Sequence, residues 1–198
     1  METIIDSLER RIDNRFAIQV GFEGSAFISV DDNFMSQAYT QDIGFNLNLR
    51  FGIKEFFGLG FNFNRYELSN DDSRFLGSIF PTSRFYSTSI FGYYQHLLFK
   101  NLTGEIKVGI FNSNLKNRST PNSSLPPIID GNLRLNFSGF LSGLNFIHYL
   151  GSEKKVGISL GADLYFTMSD KVQTAPSEQD FINKNSFTTI NLGMVIGN

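Results

Sequence analysis

Apolar and polar residues alternate along most of the chain with a period of two. The clearest example runs from Ile43 to Leu68, where two alternating runs are separated by residues 54–56. One face of each run is apolar, and the other carries mainly glycine, asparagine and arginine. A period of two over more than four pairs predicts β-strand rather than helix. Two such runs joined by a few residues predict a β-hairpin.

The same pattern recurs and predicts eight strands between residues 16 and 198. The connections after the second, fourth and sixth strands span a few residues, whereas the other four span ten or more. This asymmetry is typical of an up-and-down barrel in an outer membrane, with short turns in the periplasm and long loops outside. We therefore expect an all-β fold, an eight-stranded antiparallel up-and-down transmembrane β-barrel with both termini on the short-turn side.

Two regions fit this pattern less well. Residues 1–15 have apolar residues at helical spacing, which predicts a short amphipathic helix or tether; a frayed extension is the alternative. In the sixth strand the apolar residues suggest two phases, with Leu135, Phe137 and Leu141 in one and Phe140, Leu144 and Phe146 in the other. A bulge near Gly139 or Gly143 would reconcile the two phases.

The polar face of the strands has few charges, although a barrel surface exposed to water normally carries many. The interior of an eight-stranded barrel is just wide enough to be filled by side chains. We therefore expect lipid to cover the apolar face and the charged residues to form a buried, salt-bridged lumen network that is structural. Its predicted members are Glu23, Arg50, Glu105, Lys107 and Asp163.

Two alternatives are consistent with the same pattern. The charged residues could form an ion or proton path instead of a structural network. The whole chain could be a soluble, lipocalin-like barrel whose apolar face points inward and binds a small apolar ligand.

Aromatic residues near the strand ends favour the membrane interpretation, because two aromatic girdles mark the membrane interfaces. The predicted short-turn girdle consists of Phe51, Phe56, Phe57, Tyr93, Tyr94, Phe99, Phe146 and Tyr149. The predicted long-loop girdle consists of Tyr66, Phe85, Tyr86 and Phe166.

Composition restricts the possible chemistry. The 198 residues include no cysteine, no tryptophan and two histidines, so we expect no disulfide, no metal site and no cofactor. The formal charge of −2 gives no electrostatic reason to expect a nucleic-acid partner. A mean hydropathy of −0.12 does not exclude a membrane, since barrel strands face lipid only at alternate positions.

One hairpin carries a family resemblance. The motif Phe91-Gly92-Tyr93-Tyr94-Gln95-His96, followed after the turn by Gly104-Glu105-Ile106-Lys107-Val108-Gly109, resembles a hairpin of small OmpA/OmpX-like outer-membrane β-barrels, especially those of Bacteroidetes. The resemblance implies a bacterial outer-membrane location. Residues 1–15 lack the apolar core of a secretory signal, which fits either a cytosolic protein or a mature chain. Because the strand pattern requires export, we expect the second, a chain whose signal peptide has been removed.

The resemblance also allows a test for catalysis. Enzymes on small outer-membrane barrels, such as lipid A acylases and deacylases, use a histidine with a hydroxyl nucleophile near the outer leaflet. His96 and His148 fall instead at the predicted short-turn rim. We therefore expect no catalytic residues and no enzyme activity.

Two predicted outer loops carry apolar residues that water alone would not favour. Exposed apolar patches often mark partner contacts, although the loops could equally pack on one another over the barrel mouth. The residues are Phe75, Leu76, Ile79, Phe80, Leu125, Pro126, Pro127, Ile128 and Ile129. We expect a structural or interaction protein (an accessory subunit or adhesin) that contacts outer-membrane lipid and, through its loops, another outer-membrane or extracellular protein.

Overall fold

The computed structural model describes residues 18–30, 34–54, 56–70, 81–118, 134–151, 154–170 and 186–197. Eight strands in this part of the chain form one closed antiparallel barrel, in which each strand pairs with its sequence neighbours and β1 pairs with β8. The strands are β1 (Ile18–Ser29), β2 (Thr40–Lys54), β3 (Phe57–Ser69), β4 (Thr82–Phe99), β5 (Leu102–Arg118), β6 (Arg134–Leu150), β7 (Val156–Asp170) and β8 (Phe187–Gly197). The predicted fold class is confirmed.

Alternate residues of each strand face opposite sides of the barrel wall. In β5, for example, Ile106, Val108 and Ile110 are more than half exposed, whereas Glu105 and Lys107 are almost completely buried. The apolar face therefore points outward. A lipocalin-like barrel requires the opposite orientation, so the soluble, ligand-binding alternative is wrong.

The connections follow the predicted asymmetry. β2–β3, β4–β5 and β6–β7 are joined by short turns, and the other four connections are longer. In the β6–β7 turn Gly151 has φ 86°, a left-handed conformation that glycine adopts without steric penalty. Lys154 has φ 53° in the same turn.

The first long connection contains a short helix, α1 (Phe34–Ala38). The sequence pattern predicts no helix in this connection, because five residues are too few for a helical period to show. No helix in the described ranges is both long enough and apolar enough to cross a bilayer. Residues 1–17 lie outside the described residues, so the N-terminal helix or tether stays a prediction.

β6 keeps a single phase along its length, with Leu135, Phe137 and Leu141 buried and Phe140 and Leu144 exposed. Its register with β5 is unbroken. The register with β7 shifts between Ser138 and Gly139. The two apparent phases arise because the inward face of β6 is itself apolar in the half nearer the long loops.

Candidate functional site

The structure brings the five predicted network residues together in the half of the lumen nearer the short turns. Each of Glu23, Arg50, Glu105, Lys107 and Asp163 is at most 3% exposed. Two ion pairs form among them: Arg50 Nε lies 3.1 Å from Glu105 Oε2, and Lys107 Nζ lies 2.8 Å from Asp163 Oδ1. The pairs join β2 to β5 and β5 to β7, so they connect strands that are not neighbours in the sheet.

The third carboxylate of the network, Glu23, is held by neutral donors. Asn46 Nδ2 donates to Glu23 Oε2 at 2.7 Å, and Ser159 Oγ donates to Glu23 Oε1 at 2.5 Å. The guanidinium of Arg50 donates in addition to Asn48 Oδ1 at 2.7 Å. Every charged group of the network thus has at least one polar partner, which burial of a charge requires.

A glycine makes room for one of these pairs. A Cβ added at Gly143 would lie 2.7 Å from Lys107 Cε and would also collide with Asp163 Oδ1. Lys107 Nζ in turn lies 5.3 Å from the centroid of the Phe91 ring, within the range of a cation–π contact. The Lys107–Asp163 pair therefore depends on the missing side chain at position 143.

Toward the long loops the lumen is filled by a large apolar cluster, whose members Phe91 and Tyr93 extend down beside Lys107 at the level of the network. Its tightest contact is a stack between Tyr165 and Phe187, with ring centroids 4.4 Å apart and planes 8° apart. Phe111 packs edge-on against Tyr165 at 5.1 Å. The buried members are Met35, Tyr66, Leu68, Phe85, Phe91, Tyr93, Phe111, Leu115, Leu135, Phe137, Leu141, Tyr165 and Phe187. Sequence reasoning missed this cluster.

Two buried tyrosines of the cluster, Tyr66 and Tyr165, keep polar partners. The hydroxyls of Tyr66 and Ser25 lie 2.7 Å apart, and Asn64 Nδ2 donates to Tyr165 Oη at 2.9 Å. These hydrogen bonds reduce the penalty of burying a hydroxyl, because a buried polar group without a partner is destabilising.

At the mouth of the barrel, α1 covers the aromatic cluster with Met35, which is 2% exposed. Burial raises the pKa of Tyr39 to about 12. Its hydroxyl donates to Asn117 Oδ1 at 2.6 Å. Ser83 Oγ donates to the same oxygen at 2.5 Å. These bonds tie the first long connection to β4 and β5.

The other end of the lumen is closed by a smaller apolar layer of Ile147, Tyr149 and Val195, each at most 5% exposed. Gln19 Nε2 donates to Tyr149 Oη at 2.7 Å. The ionic network thus lies between two apolar layers.

In the described part of the wall, β1 and β2 are paired over only part of their length. The ladder between β1 and β2 runs only from the Ile18–Phe51 pair to the Gly24–Phe45 pair. Beyond it, the side chain of Gln41 accepts a hydrogen bond from the Phe27 backbone amide and donates to the Ser25 carbonyl at 2.8 Å. One side-chain amide therefore replaces part of the missing ladder.

The two girdles are only partly as predicted. Four of the residues expected there point into the lumen and are at most 6% exposed, namely Tyr66, Phe85, Tyr93 and Tyr149. The exposed aromatic residues at the short-turn end include Phe51, Phe57, Tyr94, Phe99 and Phe146. The girdles were predicted from strand-end position alone. A residue also has to face outward to reach the membrane interface.

The remaining predicted site residues divide in two. The apolar loop residues Phe75, Leu76, Ile79, Phe80, Leu125, Pro126, Pro127, Ile128 and Ile129 lie outside the described residues, so their role stays a prediction. His96 and His148 are exposed and lie opposite Gly104 and Leu102 at the short-turn rim.

We predict that Arg50→Leu destabilises the barrel by about 3–5 kcal/mol, since Glu105 loses its buried ion-pair partner. The double variant Arg50→Leu/Glu105→Leu should recover much of this loss, because no charge is then left unpaired at that position. Urea unfolding in lipid vesicles would measure both free energies. Equal destabilisation by the single and double variants would contradict the pairing.

We predict that Gly143→Ala costs about 1–3 kcal/mol, as an overpacked core position does. Gly92→Ala is the matched control, because a Cβ at Gly92 meets nothing within 4 Å. The midpoint of thermal unfolding in the same detergent compares the two. A loss at Gly92 as large as that at Gly143 would refute the explanation.

Comparison with known proteins places this fold. No family model matches the chain, and no curated protein matches it. The chain is similar to Ail, the attachment invasion locus protein of Yersinia pestis, with 12% identity over 92% of this chain and 97% of that chain and a TM-score of 0.54. Neisserial surface protein A is 10% identical over 92% of this chain and 97% of that chain, with a TM-score of 0.57. The outer membrane protein AlkL is 11% identical over 93% of this chain and 91% of that chain, with a TM-score of 0.53. The chain therefore has the fold of small eight-stranded outer-membrane β-barrels.

Proposed function

We propose that this protein is a side-chain-plugged barrel of the bacterial outer membrane that acts through its long extracellular loops, as an accessory subunit or adhesin. The observation that carries the proposal is the filling of the lumen. Two apolar layers enclose an ionic network, and no member of that network is more than 3% exposed. A barrel filled in this way is suited to holding loops in place rather than to passing solutes.

The loops are then the part of the molecule that can bind a partner. Their apolar residues, which include Leu76 and Ile128, would contact another outer-membrane or extracellular protein. Ail, which shares the fold, is named for attachment and invasion and has been crystallised with a heparin analogue. This lends support to a surface role.

The chain would be exported and lose its signal peptide, its wall would contact outer-membrane lipid, and it would not be an enzyme. The positions of His96 and His148, at the short-turn rim, agree with the last statement. Membership of the Bacteroidetes type rests on the hairpin from Phe91 to Gly109 and stays a prediction.

We predict that the protein gives no ion conductance in planar bilayers, because the ionic network is closed off at both ends. Porin inserted in the same bilayers is the positive control. Regular single-channel steps from the purified barrel would contradict the plugged-lumen proposal.

A second experiment tests the role of the loops. A photoreactive residue placed at Leu76 or Ile128 should give a discrete protein adduct in intact outer membranes, while one at the lipid-facing Val108 should give lipid adducts only. Lipid adducts at all three positions, with no protein adduct, would overturn the interaction role.

A further inference from the structure

A row of charged side chains crosses the outer wall of β3–β6 at its long-loop end. Glu67 pairs with Arg84, Arg84 with Lys116, and Lys116 with Arg134. All four point outward, since the residues beside them in each strand, such as Leu115, are buried. Neighbouring strands are about 4.8 Å apart, so the row is about 14 Å long.

Below this row the outward side chains of the wall change from polar to apolar. Moving toward the short turns two residues at a time, the rows are Arg65, Tyr86, Asn114 and Asn136, then Phe63, Thr88, Asn112 and Ser138, then Phe61, Ile90, Ile110 and Phe140. Six residues of strand cover about 20 Å. The charged row therefore lies where the hydrocarbon-facing wall ends, at the level expected for lipid headgroups.

The patch formed by Arg65, Arg84, Lys116 and Arg134 carries one acidic residue, Glu67. Its Oε1 atom lies 2.9 Å from an Arg65 terminal nitrogen and 3.5 Å from Arg84 Nε. Lys116 and Arg134 have no carboxylate partner among the described residues. The patch thus has a net excess of three positive charges.

Among the described outward side chains at the long-loop end, charge is confined to β3–β6. At the long-loop end of β7, β8 and β1, the described outward residues are uncharged: Phe166, Met168, Thr188, Ile28 and Val30. A general preference of cations for the membrane interface would surround the barrel evenly. The one-sided arrangement instead indicates a binding surface.

We propose that Arg65, Arg84, Lys116 and Arg134 bind the phosphate groups of an outer-leaflet lipid headgroup. Arginine matches phosphate with paired hydrogen bonds, and lysine adds a compact positive charge. The acyl chains of the same lipid would lie on the apolar wall directly below, along Ile90 and Ile110. A soluble anion would make no use of that wall, so a lipid fits the surface better.

The test uses the full chain in phosphatidylcholine nanodiscs that contain a small fraction of bisphosphorylated lipid A, with bound lipid A counted by native mass spectrometry. Lys116→Gln/Arg134→Gln breaks no ion pair in the described part of the chain, so folding should be retained. Each basic residue near an anionic surface contributes about fivefold, and the pair therefore about 25-fold, to the affinity. The matched control Lys100→Gln/Lys154→Gln removes the same charge at the short-turn end and should leave the affinity unchanged.

Glu67→Gln gives a prediction of opposite sign. Removal of the only acid in the patch should tighten lipid A binding about fivefold, whereas a purely structural role for Glu67 would not. Equal weakening by the patch and control variants would overturn the proposal. So would equal binding of dephosphorylated lipid A, or complete displacement of lipid A by millimolar inorganic phosphate.

Discussion

The structure depends on one constraint. In contrast to a water-soluble barrel, this barrel turns its apolar face outward, and it must therefore bury its polar face in a lumen with little room. In a bilayer the outward residues need no protein partner, since lipid tails cover them. The inward residues have no such solvent and must satisfy one another. The pairing of Arg50 with Glu105 and of Lys107 with Asp163 follows from this requirement.

The lumen meets the requirement differently at different heights. Near the short turns it uses ion pairs, amides and hydroxyls around Arg50 and Asp163. Near the long loops it uses aromatic rings such as those of Tyr165 and Phe187. These rings pack on one another, and the Tyr165 hydroxyl has its own hydrogen-bond partner, so few polar groups need to be satisfied there. A filled lumen makes the barrel a rigid support, and it leaves the loops and the outer wall as the surfaces that can contact other molecules.

Much of this could be predicted from the sequence. Strand number, the order of short and long connections and the inward charges follow from a period of two, which the backbone geometry of a strand enforces. Which cation meets which carboxylate could not be predicted, because it depends on how far the strands are sheared around the barrel.

The aromatic cluster could have been found from the same periodicity. Phe111 and Leu115 have the parity of Glu105 and Lys107, so an unbroken β5 places them in the lumen. The cluster was not predicted because the lumen was assumed to be lined by polar residues. The helix α1 is different: its role comes from contact between Met35 and the cluster, which no local pattern predicts.

The orientation of the wall can be measured directly, because the chain contains no tryptophan. Ile110→Trp and Phe111→Trp place an indole at neighbouring positions of β5, the first 59% and the second 4% exposed. In bilayers with brominated acyl chains, fluorescence at position 110 should be strongly quenched and fluorescence at position 111 should be little affected, with both protected from aqueous iodide. Strong lipid quenching at position 111, or iodide quenching at position 110, would contradict the account.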